Sequence, residues 1–235
     1  MAPSIPNTTE RQQKRGLGPL IIGLSFALFI IVAAGAAVYL FKTTILQTGY
    51  SENRAPLAIS INNERLTIPE NMIRFAEQRR NGHLDRLDLA FLWPEGTGYS
   101  EQTRKAFAVL TPEQRVIYLT IQPRKIAMDM SARLHTHYKP LFESAARPLS
   151  EGLVLQALKR GHGYDGEELA IYWNEMEPWV ARCRIGPETE LNTCIRDINF
   201  GSSLSATVRF SRRLLPNWRS VEAVALSLLD RLRSG

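Results

Sequence analysis

Metal-binding and nucleophile signatures are scarce in this chain of 235 residues. It has two cysteines and four histidines, with no Cys-x-x-Cys and no His-Glu-x-x-His. A zinc site needs about four ligands at recognisable spacings, so neither a metal nor a cofactor is expected. There is no Gly-x-Ser-x-Gly, no Ser-x-x-Lys beyond residue 42 and no Gly-x-x-x-x-Gly-Lys. These absences remove the common serine-nucleophile and phosphate-cradling designs. Beyond residue 42 there is also no Asn-x-Ser or Asn-x-Thr sequon, which leans towards a bacterial origin for an exported domain. Internal repeats and low-complexity segments are missing as well.

Charge excludes another class. The net charge is +6, and the first 41 residues contribute Arg11, Lys14 and Arg15 against Glu10. The excess left for the remainder is too small for a nucleic-acid footprint, so no nucleic acid is expected. A mildly basic surface suits an acidic partner or anionic lipid better.

What the chain does have is one long apolar run. Leu17–Phe41 holds no charged residue over 25 positions. A helix of that length exceeds the roughly 30 Å hydrocarbon core at about 1.5 Å per residue, so it spans a bilayer with some tilt. Signal peptides use a shorter apolar stretch of about 7–15 residues, so the segment reads as an anchor rather than a cleaved leader. Basic residues cluster before it, with only Lys42 close behind. That asymmetry puts the N-terminus in the cytoplasm and the bulk of the chain outside. Gly23, Ala27, Ala33, Gly35 and Ala37 form small-x-x-x-small pairs that permit a homodimer through the membrane. The organisation expected is therefore a cytoplasmic tail (1–16), a transmembrane helix (17–41), a linker (42–56) and a periplasmic domain (57–235) of a bacterial inner-membrane protein.

The cysteines bear on the compartment. Cys183 and Cys194 flank a turn-rich stretch between two apolar runs, 179–185 and 193–198. On a hairpin they face one another, at the roughly 4.5–5.5 Å Cβ separation of paired strands, near disulfide range. Such a bond persists in an oxidising compartment.

The periodicity of the domain predicts an α+β fold with a mainly antiparallel sheet. Leu57, Ile59 and Ile61 alternate with polar residues, and Leu66 and Ile68 repeat the pattern after Asn62-Asn63, a hairpin turn. A short helix is expected over 71–81, strands over 87–93 and 116–122, and a helix over 125–143 ended or bent by Pro140. From Leu153 onward, segments 153–158, 169–173, 179–185, 193–198 and 204–210 read as a five-strand meander with short connections. Trp173 and Trp179 are expected to face each other across one of its hairpins. An amphipathic helix closes the chain, capped by Asn217, with Trp218, Val221, Ala225, Leu228 and Leu232 on its apolar face. That helix is expected to cover one face of the sheet.

Two stretches are candidate sites. The loop 161–168 contains His162 and Asp165, which would form an acid–base pair if brought together. The corner 209–219 concentrates Arg209, Arg212, Arg213 and Arg219 around Phe210 and Trp218, and arginine forks suit phosphate or carboxylate groups. His135 and His137 are two residues apart, so on a helix their rings diverge. The expected function is a non-catalytic domain that binds an envelope partner (protein, lipid headgroup or cell-wall polymer). An anchored periplasmic hydrolase using the 161–168 loop is the alternative.

Overall fold

The structure is a computed structural model that describes residues 28–36, 49–108, 112–174, 176–187 and 190–234. The chain divides into two compact units at Gln47–Thr48. In the first, residues 28–36 form helix α1, whose Leu28, Phe29, Ile30, Ile31 and Val32 side chains are all exposed. Among the described residues no helix is long and apolar enough to cross a membrane. Residues 17–27 and 37–41 of the apolar run lie outside those described.

The second unit holds two sheets. Strands β1 (Pro56–Ile61), β2 (Glu64–Pro69) and β3 (Gly82–His83) form the smaller, in the order β2-β1-β3. The β1–β2 hairpin pairs Ile61 with Glu64 around Asn62, whose φ of +52° is one that asparagine tolerates. The larger sheet contains β4 (Leu87–Leu92), β5 (Val116–Pro123), β6 (Arg147–Pro148), β7 (Leu153–Ala157), β8 (Glu167–Tyr172), β9 (Trp179–Arg184), β10 (Thr193–Phe200) and β11 (Leu204–Ser211). Its order is β4-β5-β11-β10-β9-β8-β7-β6, antiparallel throughout. The five strands from β7 to β11 are the expected meander.

One face of this sheet carries the main core. Leu87, Leu89 and Phe91 of β4, Ile117, Leu119 and Ile121 of β5, and Ala206, Val208 and Phe210 of β11 meet Ile59, Ile61, Leu66 and Ile68 of the hairpin. Helix α3 (Trp218–Ser234) adds Trp218, Val221, Ala225, Leu228, Leu229 and Leu232 to the same cluster. The period of 3.6 thus puts the expected apolar stripe on the sheet.

The opposite face is covered too, at both ends. Tyr99 and Phe107 of the loop and short helix α2 (Arg104–Ala108) pack on Ala90, Leu92 and Val116. Met130, Leu134 and Tyr138 pack on Leu169, Ile171 and Val180. The helix expected over 125–143 contracts to a single π-helical turn, Leu134–Tyr138, and a 3-10 turn, Lys139–Leu141. Arg124 is held back in the sheet, donating to the carbonyls of Gly201 and Leu204. The Asp129 carboxylate caps the turn that follows by accepting from the Ala132 N–H, and Pro140 stops propagation.

Three further expectations are corrected. Residues 71–81 form two 3-10 turns, Glu70–Met72 and Ala76–Gln78, because the backbone between them is drawn onto other elements: Asn71 exchanges hydrogen bonds with the Tyr99 backbone, and the Arg74 N–H donates to the Asp88 carbonyl. A 3-10 segment, Arg212–Asn217, runs directly into α3, so its capping falls to Ser211, whose hydroxyl accepts from the Arg213 N–H, and not to Asn217. Trp179 pairs with Tyr172 and is buried, whereas Trp173 lies past the end of β8 and is 45% exposed.

Candidate functional site

Cys183 and Cys194 are paired residues of β9 and β10, joined in a disulfide with Cα atoms 4.0 Å apart and both side chains fully buried. The β9–β10 ladder extends only one residue further, to Ile195 and Arg182. Beyond it the strands part. The carbonyl of Val180 accepts instead from Arg196, whose guanidinium also donates to Ser131 Oγ (2.9 Å) and to the Glu222 carboxylate of α3 (3.0 Å). Trp179 Nε1 donates to the same carboxylate. A buried cation thus spans the opening in the sheet and fastens the helix over it, and no pattern in the sequence singles out Arg196 or Glu222.

The disulfide end of this opening borders the arginine corner. Glu168, opposite Cys183 on β8, is buried, and its two carboxylate oxygens accept from Arg147 (2.8 Å) and Arg212. Next to it a groove of about 510 Å³ is lined by Leu149, Leu155, Gly186, Asn192, Arg212 and Leu215, among others. Its shape depends on close backbone contacts. The Arg212 N–H donates to the Asn192 carbonyl (2.8 Å), and the Ser211 hydroxyl donates to the Pro112 carbonyl (2.5 Å). A methyl group on Gly186 would stand 2.5 Å from Asn192 Oδ1 and would push aside the side chain that binds the Pro187 carbonyl.

The four arginines of the corner do not converge on one point. Arg212 and Arg213 line the groove, and Arg213 pairs with Glu113 at 2.8 Å. Arg219 leaves it, donating to the Glu151 carbonyl (3.1 Å) and stacking over Trp218 and Tyr172. Arg209 projects from the other face of β11, where it borders a smaller pocket of about 170 Å³ with Arg74 and Tyr118. The two cavities share Ser211.

The loop 161–168 is organised differently from the expected acid–base pair. Asp165 accepts from the Gly161 N–H at 3.1 Å, while His162 is exposed and makes no hydrogen bond with it. Gly161, Gly163 and Gly166 all have positive φ, as a wide antiparallel turn requires. Their Gly-x-Gly-x-x-Gly spacing joins β7 to β8 with no helix after it. It therefore lacks the strand–turn–helix context of a dinucleotide site. His137 Nε2 and the Tyr164 hydroxyl lie 2.6 Å apart, and His135 points instead towards Trp173. Among the described residues no group of three His, Cys, Asp or Glu side chains is arranged to hold a metal.

Two carboxylates are tuned by their surroundings. Burial alone would raise Glu64, but the Ser203 N–H and the Ser202 and Ser203 hydroxyls outweigh it and hold the carboxyl below its ordinary value. Asp88 behaves alike: Arg86, Thr120 and Gln78 overcome its desolvation and lower it. Both sit between elements, away from either cavity, so their role is to join parts of the fold.

No protein family and no curated protein matches the sequence. Solved structures do resemble the fold. An immunity protein of the Stenotrophomonas maltophilia type IV secretion system superposes with a TM-score of 0.54 at 15% identity, covering 77% of this chain and 94% of that one. The iron-regulated outer membrane lipoprotein FrpD of Neisseria meningitidis gives a TM-score of 0.49 at 11% identity, covering 79% and 96%. At such identities the first likeness establishes a shared fold.

Proposed function

We propose that this chain is an anchored protein of the bacterial cell envelope. Residues 17–41 hold it in the inner membrane with the N-terminus inside, and its α+β domain binds another envelope protein in the periplasm without catalysis. The observation that carries the binding reading is the groove. Arg212 and Arg213, singled out from the sequence, line a cavity together with Leu149, Leu155 and Leu215 and with Glu190 and Asn192 from the β9–β10 connection. An apolar floor with a charged rim is the layout of a protein-binding surface. The hydrolase alternative loses its support because His162 and Asp165 do not act on one another.

Export is supported by the buried disulfide, since such bonds persist in oxidising compartments. Anchoring is supported by the 25-residue uncharged run and by apolar side chains of α1 left exposed. The fold likeness to a secretion-system immunity protein fits an envelope setting. Photo-crosslinking in intact cells tests the binding surface. A photoreactive residue at Leu149 or Pro216 should give a discrete protein adduct, and one at His162 should not. Adducts from the loop alone would reverse the assignment.

A further inference from the structure

The smaller pocket has a composition unlike that of the groove. Its lining includes Arg74, Gln114, Tyr118, Thr193 and Arg209, with no acidic residue. Arg74 and Arg209 make no ion pair with any described carboxylate, whereas Arg212, Arg213 and Arg219 all do. Both flank one ring. Arg74 stacks on Tyr118 at 4.7 Å and on Phe75 at 4.9 Å, and Arg209 is the cross-strand partner of Tyr118 on the same face of the sheet. Stacking holds the Arg74 guanidinium in place before any ligand arrives, which lowers the entropy lost on binding. Buried Gln114 donates to the Tyr118 hydroxyl at 3.0 Å and fixes the wall between them. Two guanidiniums and a threonine hydroxyl without a counter-charge suit a phosphate anion. At about 170 Å³ the pocket admits a headgroup and not a whole drug-sized ligand.

The anchored reading of residues 17–41 supplies a source for such a phosphate. Gly49 is the first described residue of the second unit, and its carbonyl accepts from Arg79, which also binds the carbonyls of Ile73 and Arg74. Tyr50 packs on Tyr99 and Phe107, in the cluster that includes Tyr118. Seven residues, 42–48, separate this point from the apolar run.

We propose that the pocket walled by Arg74, Tyr118 and Arg209 holds the phosphate of an anionic phospholipid headgroup from the membrane that anchors the chain. This rests on the anchored reading of residues 17–41, and the test separates the two. The full chain in uncharged detergent micelles is titrated with short-chain phosphatidylglycerol, short-chain phosphatidylcholine or inorganic phosphate, while hydrogen exchange is followed at the start of β5.

Phosphatidylglycerol should protect Val116–Tyr118 saturably, and phosphatidylcholine should not. Arg74→Gln with Arg209→Gln should weaken that binding roughly thirtyfold, from the usual contribution of a basic residue at an anionic surface. If the double variant unfolds, Arg209→Gln alone serves, because it removes no described contact, and it should still weaken binding several-fold. A chain that needs detergent yet shows no phosphatidylglycerol protection overturns the pocket and leaves the anchor standing. Protection by inorganic phosphate alone overturns the lipid source. A chain that stays soluble without detergent overturns the anchor, and the lipid proposal with it.

Discussion

Glu64 stands at the turn of the β1–β2 hairpin and accepts from the Ser203 N–H at 2.7 Å, joining the small sheet to the β10–β11 turn. A methyl group at Gly201 would overlap its carboxylate, and the φ of +58° there favours glycine as well. Because folding lowers the carboxyl, its contribution is complete above the unfolded value and fades as pH falls through the folded one. Glu64→Gln should therefore cost about 2 kcal/mol at neutral pH, the worth of a hydrogen bond to a charged group. Urea unfolding of the two chains should show that gap closing in acid; a gap constant with pH would refute the account. At the same scale, Glu222→Gln should cost about 3 kcal/mol because buried Arg196 loses its counter-charge. Adding Arg196→Met should restore part of the loss. Losses that simply add would show that the two side chains do not act as a pair.

At the scale of elements, hydropathy patterning carried the meander and the last helix, and the reason is physical. Alternation in β11 and the 3.6 period in α3 each bury one face, so the pattern and the packing are the same fact. Cys183 and Cys194 were legible for a similar reason, since a short turn between two apolar runs fixes the register. Segments 71–81 and 125–143 were not. Their conformations are set by Asn71 binding the Tyr99 carbonyl and by Arg124 binding Gly201 and Leu204, contacts distant in sequence. The same limit hid Arg74, which acquires a role only when Tyr118 of β5 lies beneath it. The helix gives a direct test. Leu228 is 1% exposed in the main core, so Leu228→Ala should destabilise by about 2–5 kcal/mol. An effect below about 1 kcal/mol, as at an exposed position, would mean that α3 does not cover the sheet.

At the scale of the whole molecule, an uncharged apolar run precedes a domain closed by a disulfide. Closing the loop between residues 11 apart contributes about 2–3 kcal/mol on the chain-entropy argument. The domain should therefore lose stability in reductant, with its unfolding midpoint falling in a concentration-dependent way; an unchanged midpoint would mean the bond is not formed.

The expected inside-to-outside orientation makes that bond a marker of location. The most direct measurement is thiol trapping in living cells: rapid acid quench, then alkylation of the full-length chain in the membrane fraction before and after reduction. Cys183 and Cys194 should resist the reagent until a reductant is added. Two thiols that react at once, in a chain that is fully unfolded by the quench, would place the domain in the reducing interior and contradict export.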